Sequence, residues 1–142
     1  MTQIIRNMLE ISRCGVQYRA DNLAQYGLKS IHASYLMEIC ANPGISQDRL
    51  ARLICINKSN VARQVAVLEE DGFVRRVASA ADKRVMELYP TEKTLEIMPQ
   101  ISSILLRWEN CITQDLSEED KAYLSSLLNK MSSRASRYME DR

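Results

Sequence analysis

Basic and polar side chains are concentrated in one stretch of the chain, residues 46–84. This stretch contains eight Lys and Arg residues against five Asp and Glu residues, which gives a net charge of +3. Residues 92–142 contain seven basic and nine acidic residues, a net charge of −2, although the whole 142-residue chain carries only +1. Because a local excess of cations attracts polyanions, the middle of the chain is the part predicted to bind nucleic acid.

Two short predicted helices carry these side chains. Ser46 is placed to cap a helix over residues 46–55, because its hydroxyl can accept hydrogen bonds from the free N–H groups of the first turn. Asn57 is placed to cap a second helix over residues 58–71, and Gly72 suits its C-terminal end. The apolar stripe of the second helix consists of Val61, Val65 and Leu68. Two short helices this close together indicate a helix-turn-helix.

A basic β-hairpin is predicted directly after the second helix. Residues 73–77 are β-branched and basic, residues 84–89 alternate loosely, and residues 78–82 are small and polar enough to form the turn. A hairpin in this position is the wing of a winged helix-turn-helix. We therefore predict a DNA-binding region over residues 30–91.

The predicted DNA contacts come from both parts of this region. Arg63 and Gln64 are long enough to reach into a major groove from helix 58–71, and Lys83 and Arg84 lie where wing residues 77–85 can enter a minor groove. Asp82 is expected to orient a neighbouring Arg. Of Arg75 and Arg76, one is expected to face a phosphate and the other solvent or a carboxylate. The full candidate set is Ser46, Gln47, Lys58, Ser59, Asn60, Arg63, Gln64, Arg75, Lys83 and Arg84.

Helices are predicted on both sides of this region. The spacing of apolar residues indicates helices over 4–20, 30–41 and 92–113, with a kink or an early break at Pro99, and a last helix capped by Ser117. The fold class is thus mostly α with a small β-hairpin wing. Residues 1–29 and 92–142 form wide apolar faces, which predicts a two-fold homodimer that reads a palindromic double-stranded DNA site. An intramolecular helical bundle is the alternative.

Composition excludes several other classes of function. The four Cys residues lie 26, 15 and 56 positions apart, so neither a zinc site nor a dithiol motif is predicted, and the thiols are expected to be reduced and mostly buried. With one His and no Gly-rich phosphate loop, no enzyme activity, cofactor or metal is expected. No segment is apolar enough to span a membrane, and no export signal is visible, so a cytoplasmic location is expected.

Several segments match a known family pattern in the right order. They are Pro43-Gly44-Ile45-Ser46-Gln47, Leu50-Ala51, Lys58-Ser59-Asn60-Val61, Leu68-Glu69, Gly72-Phe73-Val74-Arg75-Arg76, Asp82-Lys83-Arg84, Pro90-Thr91-Glu92-Lys93 and Leu116-Ser117-Glu118-Glu119-Asp120. In these segments the chain resembles the MarR family of bacterial transcriptional regulators. The resemblance implies a triangular dimer joined by its terminal helices, a DNA-binding repressor function, and a wing Arg that corresponds to Arg84.

The resemblance also implies control by a small molecule. Family members often bind a phenolic or other aromatic anion between the dimerisation and DNA-binding regions. Tyr18, His32, Tyr35 and Met37 are the candidate lining residues here. Some members instead sense oxidants through a Cys in the first helix, which points to Cys14 with Tyr18 nearby. A winged-helix module that binds a protein partner without binding DNA is a further alternative.

Overall fold

The computed structural model describes all residues 1–142 and consists mainly of helices. The elements in chain order are α1 (Gln3–Leu23), a 3₁₀ turn (Ala24–Tyr26), α2 (His32–Ala41), β1 (Ile45–Ser46), α3 (Gln47–Ile54), α4 (Lys58–Glu70), β2 (Val74–Ala78), β3 (Met86–Pro90), α5 (Glu92–Ile112) and α6 (Glu118–Glu140). The predicted class, mostly α with a small β wing, is confirmed. Residues 1–106 and 107–142 form two compact units. None of the helices is both long enough and apolar enough to cross a membrane.

The predicted helix caps are present. The Ser46 hydroxyl accepts from the backbone N–H of Arg49 at 3.1 Å, and the Asn57 side chain accepts from the N–H of Asn60 at 2.8 Å. Ser117 forms a reciprocal capping box with Asp120. These bonds satisfy N–H groups that have no partner within the helix, so each helix begins where its cap lies.

The ends of the two central helices depend on left-handed backbone conformations. Gly72 follows α4 with φ +82°, which glycine adopts without a steric penalty. Cys55 ends α3 with φ 55°, the one positive value at a residue other than glycine. The sequence predicts where both helices end, but it does not predict the left-handed conformation of Cys55, which is uncommon for a cysteine.

The sheet has three strands, one more than predicted. Its order is β1-β3-β2 and both pairs are antiparallel. The hairpin pair brings Arg76 opposite Leu88, which confirms the predicted wing with strand ends shifted by one or two residues. The added strand β1 pairs Ile45 with Leu88 and Ser46 with Glu87. The hairpin is therefore tied to the residues that begin α3.

The core of the first unit packs α2, α3, α4 and the sheet together. Its buried side chains include Tyr35, Leu36, Ile39, Leu50, Val61, Val65, Leu68, Phe73, Leu88, Ile101 and Ile104. The predicted stripe of α4 is thus buried on the inner side of that helix. Burying each large aliphatic side chain contributes about 1.5–3 kcal/mol, so the opposite face of α4 is held outward by a firm attachment.

Two predictions about individual residues are wrong. Of the kink or early break predicted at Pro99, the early break does not occur, because α5 continues through Pro99 from Glu92 to Ile112, and the kink stays a prediction. Proline removes the N–H that would bond to the carbonyl of Leu95. Leu95 is itself exposed, on the side of the helix where water can hydrate a free carbonyl.

The predicted burial of the four thiols is the second wrong prediction. All four are free, but Cys14, Cys55 and Cys111 are exposed, and Cys40 is half-buried. Burial raises the pKa of the Cys40 thiol. The expectation of mostly buried thiols followed the average behaviour of cysteine, whereas here three of the four lie on surface sides of helices or in a turn.

Candidate nucleic-acid interface

The first turn of α3 forms one edge of the candidate interface. Ser46 caps this helix with its oxygen, and its hydroxyl hydrogen is not used by that bond. The Gln47 side chain is half-buried, and its Oε1 atom is buried without a hydrogen-bond partner. Asp48 lies 3.4 Å from the Nζ atom of Lys58 at the start of α4. Both side chains are largely exposed, so this ion pair is screened by solvent and leaves Lys58 accessible.

The first turns of α4 carry a chain of polar contacts. The Ser59 hydroxyl donates to Asn57 Oδ1 at 2.9 Å, so this side chain and the backbone N–H of Asn60 share the capping oxygen. One turn further, Arg63 Nη2 donates to Asn60 Oδ1 at 2.6 Å. Arg63 is exposed and forms no ion pair. Its guanidinium is therefore oriented by a neutral partner and keeps its charge and its other donors available.

Gln64 has a partner that the sequence does not predict. Its Oε1 atom lies 3.0 Å from Nε2 of His32, on α2. The backbone N–H of Lys29 donates to the other ring nitrogen, Nδ1, at 3.0 Å. Since Nδ1 accepts, the proton of the neutral ring is on Nε2, which donates to Gln64. Burial lowers the pKa of His32, and Lys29 acts in the same direction, while Gln64 and Asp71 oppose it.

The turn of the wing is held by its own side chains. The N–H of Ser79 donates to the carbonyl of Val85 at 2.8 Å and closes the loop, while the Ser79 hydroxyl accepts from Ala81. Asp82 accepts from Arg84 through Nε and Nη2, at 3.1 Å each. These hydrogen bonds lower the pKa of Asp82. Asp82 orients the neighbouring Arg as expected, and Lys83 is exposed beside them.

The two arginines at the base of the wing have different roles. Arg76 donates three hydrogen bonds to the Glu69 carboxylate of α4, one from its backbone N–H and two from its guanidinium, at 3.0–3.1 Å. Hydrogen bonding to Arg76 lowers the pKa of Glu69. Arg75 is exposed, with its guanidinium carbon 4.9 Å from the centre of the Tyr89 ring. Arg76 is thus the one that faces a carboxylate, and it joins the wing to α4.

The remaining cations form an exposed set on the helix and the wing. It consists of Lys58, Arg63, Arg75, Lys83 and Arg84. Their donors are suited to phosphate oxygens and to base edges in a groove. Glu69 and Asp82 are the acids among them that pair with arginines. The arrangement can bind a polyanion across a helix face and an adjoining hairpin.

Of the four candidate ligand residues, the structure pairs only the rings of His32 and Tyr35, whose centres lie 6.4 Å apart in an edge-to-face arrangement. Tyr18 is half-buried, and its hydroxyl donates to the carbonyl of Ile104 at 3.1 Å. His32 and Tyr35 are buried, and the Tyr35 hydroxyl has no hydrogen-bond partner. Met37 is exposed and so lies on a different side of α2 from Tyr35.

A cavity of about 510 Å³ in the first unit is lined by none of these four residues. Its lining consists of Val16, Arg19, Ser30, Ile31, Ala33, Ser34 and Leu105. This volume is within the range of small-molecule sites, about 300–1,000 Å³. Arg19 was missed in the sequence, where its only signal is a cation one position after Tyr18. Cys14, the candidate redox residue, is exposed on α1 and free.

Comparison with known proteins places this geometry among transcriptional regulators. A family model described as MarR family matches residues 26–85, the segment that contains α2, α3, α4 and most of the wing. The HTH-type transcriptional regulator YybA of Bacillus subtilis is 26% identical over 136 residues, which are 92% of this chain and 87% of that protein.

Solved structures are similar over nearly the whole chain. The crystal structure of the transcriptional regulator SlyA has a TM-score of 0.93 and 30% sequence identity, and the match covers 98% of each chain. A MarR family regulator of Listeria monocytogenes, solved in complex with a 26mer DNA, has a TM-score of 0.91. It is 23% identical, and the match covers 96% of this chain and 91% of that one, so this likeness concerns the fold.

Proposed function

This chain belongs to the MarR family of transcriptional regulators, and on that premise we propose that it is a homodimeric repressor of a palindromic DNA operator. As a winged-helix DNA-binding regulator it is not an enzyme. The observation that carries the proposal is the exposed cationic set on α4 and the wing, attached to one core through the stripe of α4 and the Arg76–Glu69 pair. The Listeria relative bound to DNA supports the same use of the fold.

We assign the DNA contacts to the two parts of the winged helix-turn-helix. Helix α4 enters the major groove with Arg63 and Gln64, while Ser46, Gln47, Lys58, Ser59 and Asn60 contact the backbone near its N-terminus. Arg84 and Lys83 enter the minor groove, and Arg75 contacts a phosphate at the base of the wing. A major groove admits one α-helix, and α4 presents its polar side outward because its apolar stripe is buried.

The exposed apolar side chains support the dimer. On α1 they are Ile4, Ile5, Met8, Leu9, Ile11 and Val16, and on α6 they are Tyr123, Leu124, Leu127, Leu128, Met131, Tyr138 and Met139. No residue of α6 is buried in the single chain. So many large apolar side chains in water are unfavourable, and a second copy of the chain buries them through a two-fold contact.

A small aromatic anion is the proposed releasing ligand. The cavity that contains Arg19 offers an apolar wall, formed by Val16, Ile31 and Leu105, beside one cation. A guanidinium binds a carboxylate with two hydrogen bonds, and the apolar wall suits a ring. Release requires the ligand to bind the DNA-free geometry of the dimer more tightly than the DNA-bound one.

Binding to the upstream region of the protein's own gene tests the repressor proposal. Fluorescence anisotropy with a fragment of about 30 base pairs, at two salt concentrations, is expected to show specific binding that weakens steeply with salt. Arg63→Ala and Arg84→Ala are expected to weaken binding while the dimer persists, and Arg142→Ala, at the exposed C-terminus, serves as the control. A verified dimer that binds no better than to random DNA would contradict the proposal and favour a protein partner.

Benzoate is a suitable probe for the ligand part of the proposal. It is expected to reduce operator binding by the wild-type protein, and Arg19→Ala is expected to make binding insensitive to benzoate at the same concentration. Arg13→Ala, an exposed arginine of the same helix that does not line the cavity, is the matched control. Equal sensitivity of the wild type and Arg19→Ala would place the ligand elsewhere.

A further inference from the structure

We infer that His32 is a positioning residue for sequence recognition, because it occupies the amide oxygen of Gln64 and leaves only the amide NH₂ group to read a base. Gln64 then favours guanine, whose O6 and N7 both accept, or thymine O4, over adenine, whose N7 acceptor lies beside the N6 donor. This inference rests on the proposed DNA-binding function. It adds to that function the direction of the His32–Gln64 hydrogen bond and the bases, guanine or thymine, that this direction favours.

The direction of the hydrogen bond follows from three groups in a row. A backbone N–H group can only donate a hydrogen bond, and the N–H of Lys29 donates to Nδ1 of His32. The ring is 1% exposed, and because Nδ1 accepts, the single proton of its neutral form is on Nε2. That proton is donated to Gln64 Oε1 over 3.0 Å. The reversed amide would place NH₂ against an N–H group, which is repulsive.

The nitrogen end of the same amide is free. Gln64 Nε2 forms no hydrogen bond, and it is absent from the buried atoms without a partner, which are Tyr35 Oη and Gln47 Oε1. It is therefore in contact with solvent. Gln64 is half-buried and lies between the exposed Arg63 and the buried Val65, at the border of the buried stripe of α4, so its free NH₂ group reaches solvent at the edge of the surface proposed to face the groove.

Each base presents its own donors and acceptors in the major groove, so the direction of the His32–Gln64 hydrogen bond determines which base Gln64 prefers. Glutamine reads adenine by accepting from N6 and donating to N7 at once, so both ends of the amide must face the base edge. Here the oxygen points to a buried ring on α2. The remaining NH₂ group pairs without conflict with guanine, which presents two acceptors, or with thymine O4. Adenine offers the NH₂ group one acceptor, N7, next to the N6 donor, so the contact gains less there than at guanine.

Selection of binding sites from a random DNA library tests the inference. The wild-type dimer is expected to enrich guanine or thymine at one position of each half-site. In Gln64→Leu this enrichment is expected to fall about fivefold. His32→Phe keeps the ring volume but releases the amide, so the preference is expected to move to adenine. His32→Gln, whose own NH₂ group can donate to Gln64, is expected to retain the wild-type preference.

Two further measurements keep the test independent of folding. Thermal unfolding of each variant verifies that it is folded, and Gln114→Leu, an exposed glutamine outside the winged region, serves as the matched control. Nitrogen NMR of the single His reports its tautomer without assignment ambiguity, and a proton on Nε2 is expected. A proton on Nδ1 would overturn the inference.

The selection separates failure of this inference from failure of the proposed function. Enrichment of adenine by the wild type at the position that Gln64→Leu changes would overturn the inference alone. An unchanged motif in both Gln64→Leu and a folded His32→Phe would do the same. A wild-type dimer that enriches no motif would overturn the proposed function, and the inference with it.

Discussion

The carboxylate of Asp82 accepts three hydrogen bonds from Arg84, one from its backbone N–H at 3.0 Å and two from its guanidinium at 3.1 Å. The Arg84 side chain nevertheless remains 91% exposed. A long cationic side chain at the tip of a hairpin is thus oriented before any DNA is present. Orientation before binding lowers the entropy that the side chain loses when it enters a groove.

Asp82→Ala is expected to weaken operator binding about three- to tenfold, because an ordered side chain costs about 0.5–1.5 kcal/mol to immobilise. The salt dependence is expected to stay unchanged, because Arg84 is still present. Arg84→Ala is expected to reduce the salt slope by about 1. Anisotropy titrations at four salt concentrations measure both effects. Tighter binding by Asp82→Ala would show instead that repulsion between Asp82 and phosphates dominates.

Glu69→Ala is expected to lower the free energy of unfolding by about 1 kcal/mol, since both partners of its bond to Arg76 are partly exposed and solvent screens the charges. Glu70→Ala, at the exposed neighbour that forms no ion pair, is the matched control. Urea unfolding at pH 7 measures both variants.

The pH dependence of this pair has a definite sign. Hydrogen bonding to Arg76 lowers the pKa of Glu69 in the folded chain below its ordinary value of 4.5. The stabilisation is therefore complete above pH 4.5 and is lost as the pH falls through the folded pKa. The difference between the wild type and Glu69→Ala should shrink on acidification, and a constant difference would exclude the pair as its source.

Stability is also expected to fall between pH 7 and pH 5.5 because of His32. Burial lowers the pKa of His32 below its ordinary 6.5, so the unfolded chain takes up this proton at higher pH than the folded chain. The contribution is complete above about pH 6.5 and declines below it, at a limiting slope of about 1.4 kcal/mol per pH unit. The chain has one His, so His32→Phe should flatten the urea-unfolding profile in this range. An equally steep profile in that variant would assign the effect elsewhere.

Leu127→Arg is expected to convert the dimer to a monomer, because a charged side chain in a buried apolar contact is strongly unfavourable. Asn129→Arg, on the opposite side of α6 by helical spacing, is the matched control. Sedimentation equilibrium measures the mass of each. The monomer is also expected to bind a palindromic operator at least about tenfold more weakly, because its two half-sites are no longer bound by one linked unit. A dimeric Leu127→Arg would exclude this face of α6 from the contact.

Features that depend on neighbouring residues could be predicted from the sequence. Ser46, Asn57 and Ser117 cap helices through bonds that span three residues, and the orientation of Arg84 by Asp82 spans two. Such contacts follow from residue type and spacing alone. The family resemblance added the expected order of the elements around them.

Features that depend on packing between distant segments could not be predicted from the sequence. The bond between His32 and Gln64 joins residues 32 positions apart and needs the crossing of α2 and α4. Strand β1 has two residues and exists through pairing with β3, so it has no periodicity of its own. The cavity beside Arg19 likewise needs α1, α2 and α5 to be placed around it. In each case the local sequence is compatible with several partners, and the tertiary structure selects one.

Strand β1 has a mechanical consequence. Ser46, the cap of α3, is paired with Glu87 in the stem of the wing, and Gly44 donates to the carbonyl of Leu88 in the same stem. The base of the hairpin and the start of the helix-turn-helix are therefore joined by backbone hydrogen bonds. Any displacement of the segment that joins α2 to α3 shifts the stem with it. Major-groove and minor-groove contacts should consequently be lost together, in a single kinetic step of dissociation.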